Sequence, residues 1–388
     1  MAFQQNNTAG SVGDLLGIST YVSGLSGGSW ALSSFYANNG IQPSDLAKDT
    51  WNLQSNLGFP NKDQVKFYTD LLCAVHDKHE KKFATQLTDY WGLALSNHCT
   101  TLDNGWPRDM SKCYESFDNA GGLLMQRLQQ RSLSDMGLFG GPLDVKEDII
   151  DNFLILASTL AEDVSVYPNP FFKWTAKENP NGHNEVLTLV DGGMANENIP
   201  LEPFLQPERV VDTIFAMDNS ADSPHNWPEG VALYTTYQKS VNQSKIYNIP
   251  ETMPPIPPRE GFVNSGMNTR PVFFGCDLPN IPTIIYIPNS PWSHWSNHST
   301  FQLEYSLEET LALIDNGRRS LELNGTVPDW GQCLTCAMIN NAVLQSGKPH
   351  EDACKACLKR WCWDGKLDET KGKTTEYHEL GQLPALPL

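Results

Sequence analysis

The run Gly24-Leu25-Ser26-Gly27-Gly28-Ser29-Trp30 sets a hydroxyl among glycines in the spacing G-x-S-x-G. In that spacing the serine sits exposed on a sharp turn before a helix, and its small neighbours let a substrate carbonyl approach for acyl transfer. Leu16 to Val22 is rich in β-branched and aromatic residues, while Trp30 to Tyr36 contains neither Gly nor Pro. The order predicted is therefore strand, tight turn, helix. The amides of Gly27 and Gly28, free at the helix start, would face the negative oxygen of a tetrahedral intermediate. The same residues also fit a plain glycine-rich turn, because G-x-S-x-G alone is a weak pattern.

A second stretch supplies a partner. Glu185 to Val190 reads as a short apolar strand that ends in Asp191, and Gly192 and Gly193 after it leave the carboxylate open to a cleft. An aspartate at a strand end is more often a turn residue. Its weight comes from pairing: a serine and an aspartate at two strand ends form a nucleophile and its base if the strands are neighbours in one sheet.

Cysteine offers a different chemistry. Cys333, Cys336, Cys354, Cys357 and Cys362 crowd together, and Cys333-x-x-Cys336, 17 residues, then Cys354-x-x-Cys357 fits a structural zinc site. Disulfides are the competing account. A fifth cysteine close by favours them, as do N-glycosylation sequons at Asn6, Asn242, Asn297 and Asn324, which suit an oxidising compartment.

With 388 residues the chain is long enough for one large α/β domain or two ordinary ones. Its formal charge of −18 argues against nucleic acid and strongly anionic membranes as partners. No apolar run is long enough to span a membrane, and the residues from Met1 to Asn7 lack the pattern of a signal peptide.

The elements that must position these groups follow from periodicity. Residues 41–100 carry helical spacing, as do Leu123 to Leu133 and residues 145–164, and Tyr167 to Phe172 reads as a rigid extended loop. Val210 to Asp218 predicts a strand, and Arg270 to Cys276 and Thr283 to Pro288 predict two more that complete the sheet or its edge. Between them the proline-dense Ile249 to Arg259 can only be a loop. Leu307 to Leu323 is an amphipathic helix, and from Lys366 onward the chain has little to bury, so a poorly ordered tail is expected at 366–388.

With these pieces in place the chain resembles the fungal phospholipase B or lysophospholipase family, whose core is similar to that of cytosolic phospholipase A-two. The resemblance is carried, in family order, by the Gly24 to Trp30 motif, by Asp191-Gly192-Gly193 with Asn198-Ile199-Pro200-Leu201, and by Met217 to Asp222. Asn268 to Cys276, Tyr286 to Pro291 and Trp330 to Ala337 continue it. It implies an α/β fold, a central mixed β-sheet flanked by helices with a C-terminal cysteine-rich segment. Residues 1–365 would form one catalytic domain with the cysteine-rich 328–365 inside it. It further implies that Ser26 and Asp191 are a dyad with no histidine, acting on lysophospholipids and phospholipids at a membrane or micelle surface. Neither metal nor other cofactor is required, and the protein would be secreted or at the cell surface with its cysteine cluster oxidised.

Two departures from the pattern stand out. The family's Ser-Gly-Gly-Gly-x-Arg stretch, which builds most of the oxyanion hole and steadies the phosphate, has no match before Gly24. The interval between Ser96 and Cys113, long in the family, is 16 residues here. They imply either a piece of a longer protein or a catalytically impaired member that keeps lipid or cell-wall binding, with weak activity in residues 1–388 alone. A further rival is a Ser-His-Asp esterase using His183, His294 or His298.

Overall fold

The computed structural model describes residues 15–54, 165–175, 181–189, 195–299, 302, 304–368 and 375–381. The chain divides into two units, one made of Met1–Gln54 with Ala195–Leu388 and the other of Ser55–Met194.

In the first unit, period-two alternation builds a sheet that is covered on both faces. β3 (Thr213–Asp218) runs parallel to β5 (Thr283–Pro288), and β4 (Val272–Phe274) pairs antiparallel with the other edge of β5, so the order is β3-β5-β4. Ile214, Ala216, Val272, Phe274, Ile284 and Tyr286 point to one core, where they meet Leu233 of α3 (Val231–Tyr247) and Phe262 of α4 (Arg259–Asn264). Phe273, Ile285 and Ile287 point to the other, against Leu321 of α5 (Leu307–Glu322), Leu334 of α6 (Trp330–Met338) and Trp361 of α8 (Asp352–Trp361). β5 is buried at every position, which is why its sequence reads as an unbroken apolar run rather than an alternating one. The sheet is thus mixed and flanked by helices, and the strands predicted at 210–218, 270–276 and 283–288 all form, with β5 at the centre.

Local signals set the helix ends. Ser306 caps α5 through a capping box, its hydroxyl accepting the Glu309 amide at 3.1 Å while the Glu309 carboxylate accepts the Ser306 amide at 3.3 Å. Disulfides Cys333–Cys357 and Cys336–Cys354 clip α6 to α8, and α7 (Asn340–Gln345) lies between them in sequence. Cys276–Cys362 ties the end of β4 to the end of α8, where Trp363 donates its amide to Phe273 O at 2.9 Å. Near the N-terminus, α1 (Gly27–Ala37) and α2 (Pro43–Asp49) join this unit, with Leu46 and Ala47 of α2 buried and the Tyr305 amide donated to Leu53 O at 2.7 Å. Within 366–388, where the sequence suggests little to bury, Thr375 is buried and Gly381 donates its amide to Pro291 O at 2.7 Å.

In the second unit, β1 (Ser165–Pro168) and β2 (Val186–Leu189) form an antiparallel pair. β1 replaces part of the extended loop expected there. Asn169 closes the connection, donating to Asn181 O and Asn184 O, both at 2.7 Å. The helical segments expected over 55–164 lie outside the described residues.

Candidate active site

Ser26 is the N-cap of α1 with φ 51° and ψ −125°, a backbone conformation that a non-glycine residue adopts at a cost of about 1–3 kcal/mol. It is reached because the turn is tight. The chain entering it passes so near the start of α1 that a Cβ on Gly24 would lie 2.7 Å from the carbonyl carbon and oxygen of Gly28. Gly27 and Gly28 face the other way, and a Cβ on either would meet nothing within 4 Å. One side of the turn is therefore closed by backbone and the other is open beside the serine. Among the described residues the Ser26 hydroxyl has no hydrogen-bond partner.

The amides at the helix start are not equivalent. Gly28 donates to Leu25 O at 2.9 Å, and Ser29 and Trp30 donate to Ser26 O at 2.9 and 3.1 Å. Of the two glycine amides expected to be free, that of Gly28 is engaged, and that of Gly27 has no partner among the described residues. The residue that follows a nucleophilic serine is where such an amide is used.

The strand expected over Leu16 to Val22 is absent. Leu15 to Ile18 form a turn closed by the Ser19 amide and hydroxyl on Leu16 O and Leu15 O, at 3.2 and 2.8 Å, and residues 21–25 run without a ladder partner among the described residues. Strand propensity is realised only against a neighbouring strand. What holds this segment instead is Tyr21, whose ring lies 6.5 Å from that of Phe204 and 4.8 Å from the Arg209 guanidinium.

β2 ends at Leu189, two residues before Asp191. Asp191, Gly192 and Gly193 lie outside the described residues, and the described partner of β2 is β1. Past them, Asn198 donates to the Ser220 hydroxyl at 3.2 Å.

The carboxyl end of β3 gathers acidic groups to which sequence reasoning gave no role, although an acid at the last residue of the strand and another four residues on were a visible signal. Asp218 is 1% exposed and accepts the Ser220 amide at 2.9 Å and the Tyr286 hydroxyl at 2.8 Å. Burial pushes its carboxyl above the usual range, and the bonds from Ser220 and Tyr286 oppose that shift. Asp222 is raised to about 6, first by burial and then by the charge of Asp218, while it accepts the amides of Glu229 and Val231. Fully buried Glu229 pairs with Arg259 and also accepts the amide and hydroxyl of Thr375, at 3.1 and 3.2 Å.

The remaining candidate residues separate clearly. All five clustered cysteines are in disulfides, and Cys276, 57 residues away from the cluster and missed in the sequence, is the sixth partner. Asp329, Cys333 and Cys357 come close to one another, but the Cys333–Cys357 bond leaves neither sulfur as a thiolate ligand. His298 faces Gln302 and Glu309, and His294 stacks on it at 6.2 Å; no described histidine hydrogen-bonds Ser26. Asn242 and Asn324 are exposed, Asn297 is half-buried with its amide donated to His225 O, and Asn6 lies outside the described residues.

A serine held at positive φ at the head of a helix, in a chain with a covered α/β sheet, shares the strained serine and the following helix of the nucleophile turn of α/β hydrolytic enzymes, without the strand that precedes it there. Comparison with known proteins narrows the class: the chain belongs to the lysophospholipase catalytic domain family, which matches residues 1–101 and 97–368. It is 32% identical to a phospholipase B of Cryptococcus neoformans var. grubii over 443 residues, covering 92% of this chain and 69% of that protein. Lysophospholipase 1 of Aspergillus fumigatus is 32% identical over 461 residues, covering 94% and 72%. A lysophospholipase of Penicillium chrysogenum is 32% identical over 461 residues, covering 94% and 75%. Each alignment is longer than the 388 residues of this chain, so the relatives carry residues inside the matched region that have no counterpart here. No solved structure matches the chain at a significant level.

Proposed function

We propose that this chain is a carboxylic ester hydrolase that releases fatty acid from lysophospholipids and diacyl phospholipids through Ser26 and Asp191. Asp191 takes the hydroxyl proton as Ser26 Oγ adds to the ester carbonyl, and the Gly27 amide donates to the oxyanion that forms. Collapse of the tetrahedral intermediate expels the lipid alcohol, which receives the proton from Asp191, and leaves an acyl-serine. Water, deprotonated by Asp191, then adds to the acyl-serine, and as the acyl–Oγ bond breaks and the fatty acid leaves, Asp191 returns the proton to Ser26 Oγ. The observation that carries the reading is the positive-φ conformation of Ser26 at the head of α1. Relatives named phospholipase B and lysophospholipase agree with it.

The family match running to residue 368 supports taking 1–365 as one catalytic domain that includes the cysteine-rich 328–365. Three disulfides and the exposed sequons Asn242 and Asn324 support a secreted or cell-surface setting. A second reading, lipid binding with impaired turnover, is favoured by one observation, the commitment of the Gly28 amide to Leu25 O. Loss of one oxyanion donor costs about 10²–10³ in turnover.

Hydrolysis of lysophosphatidylcholine by the purified chain separates the two. The proposal expects activity that Ser26→Ala and Asp191→Asn abolish and that His294→Ala and His298→Ala leave within about threefold. Tight binding of the lipid without turnover would support the second reading, and loss of activity in a histidine variant would restore a Ser-His-Asp mechanism.

A further inference from the structure

Parts of the sequence that the acyl chemistry does not use meet at one end of the sheet. β3 and β5 are parallel with Asp218 beside Pro288, so both chains leave the sheet at the same edge. There the Asp218 carboxylate is buried and has no ion-pair partner among the described residues. Such a charge is costly unless several donors hold it. Its two oxygens take the Ser220 amide and the Tyr286 hydroxyl, and the Asp218 carbonyl takes the Asn289 amide at 2.8 Å. The Ser220 hydroxyl oxygen in turn accepts the side-chain amide of Asn198 at 3.2 Å. Ser220 thus joins Asn198 to Asp218 and Tyr286, its hydroxyl taking the Asn198 amide while its own backbone amide goes to Asp218.

The place of Asn198 gives this chain its meaning. It stands seven residues after Asp191 and opens a segment in which Ile199 and Leu201 are buried. The same segment goes on through the 3₁₀ turns Glu202–Phe204 and Pro207–Arg209, which hold Tyr21 through Phe204 and Arg209. Tyr21 is five residues before Ser26. One stretch, 198–209, is therefore fastened at its start to a buried carboxylate of the sheet and along its length to the chain that enters the serine turn. An apolar contact at Asn198 would supply burial but no direction, whereas a hydrogen bond to a residue whose own backbone is held by Asp218 fixes a position.

We propose that Asn198 and Ser220 are positioning residues for the ester hydrolysis: with Asp218 and Tyr286 they pin the chain leaving Asp191 to the carboxyl end of β3. This fixes 198–209 as the scaffold on which the segment entering Ser26 rests. The inference depends on Ser26 and Asp191 being the reacting pair.

The test uses the full chain and its Asn198→Ala, Ser220→Ala and Ser220→Thr variants. The readouts are steady-state hydrolysis of lysophosphatidylcholine, thermal unfolding, and hydrogen exchange in peptides covering 195–209. Asn198→Ala and Ser220→Ala are expected to lower kcat at least about tenfold with KM within about twofold, because misplacement rather than lost binding is the cause. Exchange over 195–209 should rise in both, and Ser220→Thr, which keeps the hydroxyl, should stay within about threefold of the parent. Should Ser220→Ala fail to fold, Tyr286→Phe removes a donor at the far end of the chain without changing its shape and is expected to lower kcat in the same way. An unchanged kcat in Asn198→Ala would overturn the proposal, as would a loss that follows thermal destabilisation while exchange at 195–209 stays at the parent level. If the parent protein hydrolyses nothing, the dyad reading fails by itself. Exchange at 195–209 still decides the positioning claim, and no change in Asn198→Ala would end it.

Discussion

Gly24→Ala perturbs the serine turn without touching its reacting groups. The new Cβ would sit 2.7 Å from the carbonyl carbon and oxygen of Gly28 and 2.9 Å from the Ser29 nitrogen. Non-bonded carbon settles at about 3.5–4.0 Å, so the two segments must part by roughly 0.8 Å, and every atom in the way is backbone. A displacement near 1 Å at a reacting group costs up to about 10²-fold in rate, and overpacking costs about 1–3 kcal/mol. The expected outcome is a kcat for lysophosphatidylcholine lowered by about 10–100-fold with a Tm lower by several degrees. Gly27→Ala is the folding control, because its Cβ meets nothing within 4 Å, and it should keep the parent Tm. A Gly24→Ala protein with parental kcat and Tm would refute the argument that this close approach is what holds Ser26 in its conformation.

Other outcomes follow from the buried polar groups and the cross-links. Asp222, at about 6 in the folded state against 3.8 for the free side chain, holds a proton between those values that the unfolded chain releases, so its contribution to stability is present at low pH and lost as pH rises through 6. Asp222→Asn should therefore be more stable than the parent at pH 7.5, by on the order of 3 kcal/mol, with the difference vanishing towards pH 4; denaturant melts at several pH values read it. Arg259→Ala leaves fully buried Glu229 without its cation and should cost about 3–5 kcal/mol in the same assay, whereas a change below about 1 kcal/mol would mean that Thr375 suffices. Removing the Cys276–Cys362 bridge, which spans 86 residues, should cost about 4–5 kcal/mol in the chain-entropy account, measured on a Cys276→Ser/Cys362→Ser protein under oxidising conditions.

Where sequence patterns are local and strong, they translated directly into structure. β5 occupies Thr283–Pro288 and α5 Leu307–Glu322, close to the spans read from apolar runs and helical spacing, because each buries the face its own residues define. Leu16 to Val22 failed the same test, since β-branched composition makes a strand only where another strand accepts its hydrogen bonds. β1 was missed because Pro168 and Pro170 read as loop, yet a proline is tolerated at the end of a strand. At the serine turn, the helix that starts after Ser26 was legible from the sequence, but the engagement of the Gly28 amide was not, since it depends on how tightly the turn closes. Cys276 and the Asn198–Ser220–Asp218–Tyr286 chain join residues far apart in sequence, and no local pattern announces such pairings.

The most direct test of the account is to trap the covalent intermediate. The protein is mixed with a fluorogenic carboxylic ester or with lysophosphatidylcholine and quenched in acid within the first turnover, then digested and mapped by mass spectrometry. The account predicts an acyl group on the peptide containing Ser26, present in the parent and absent from Ser26→Ala. An acyl group on another residue, or hydrolysis by Ser26→Ala at the parental rate, would contradict it.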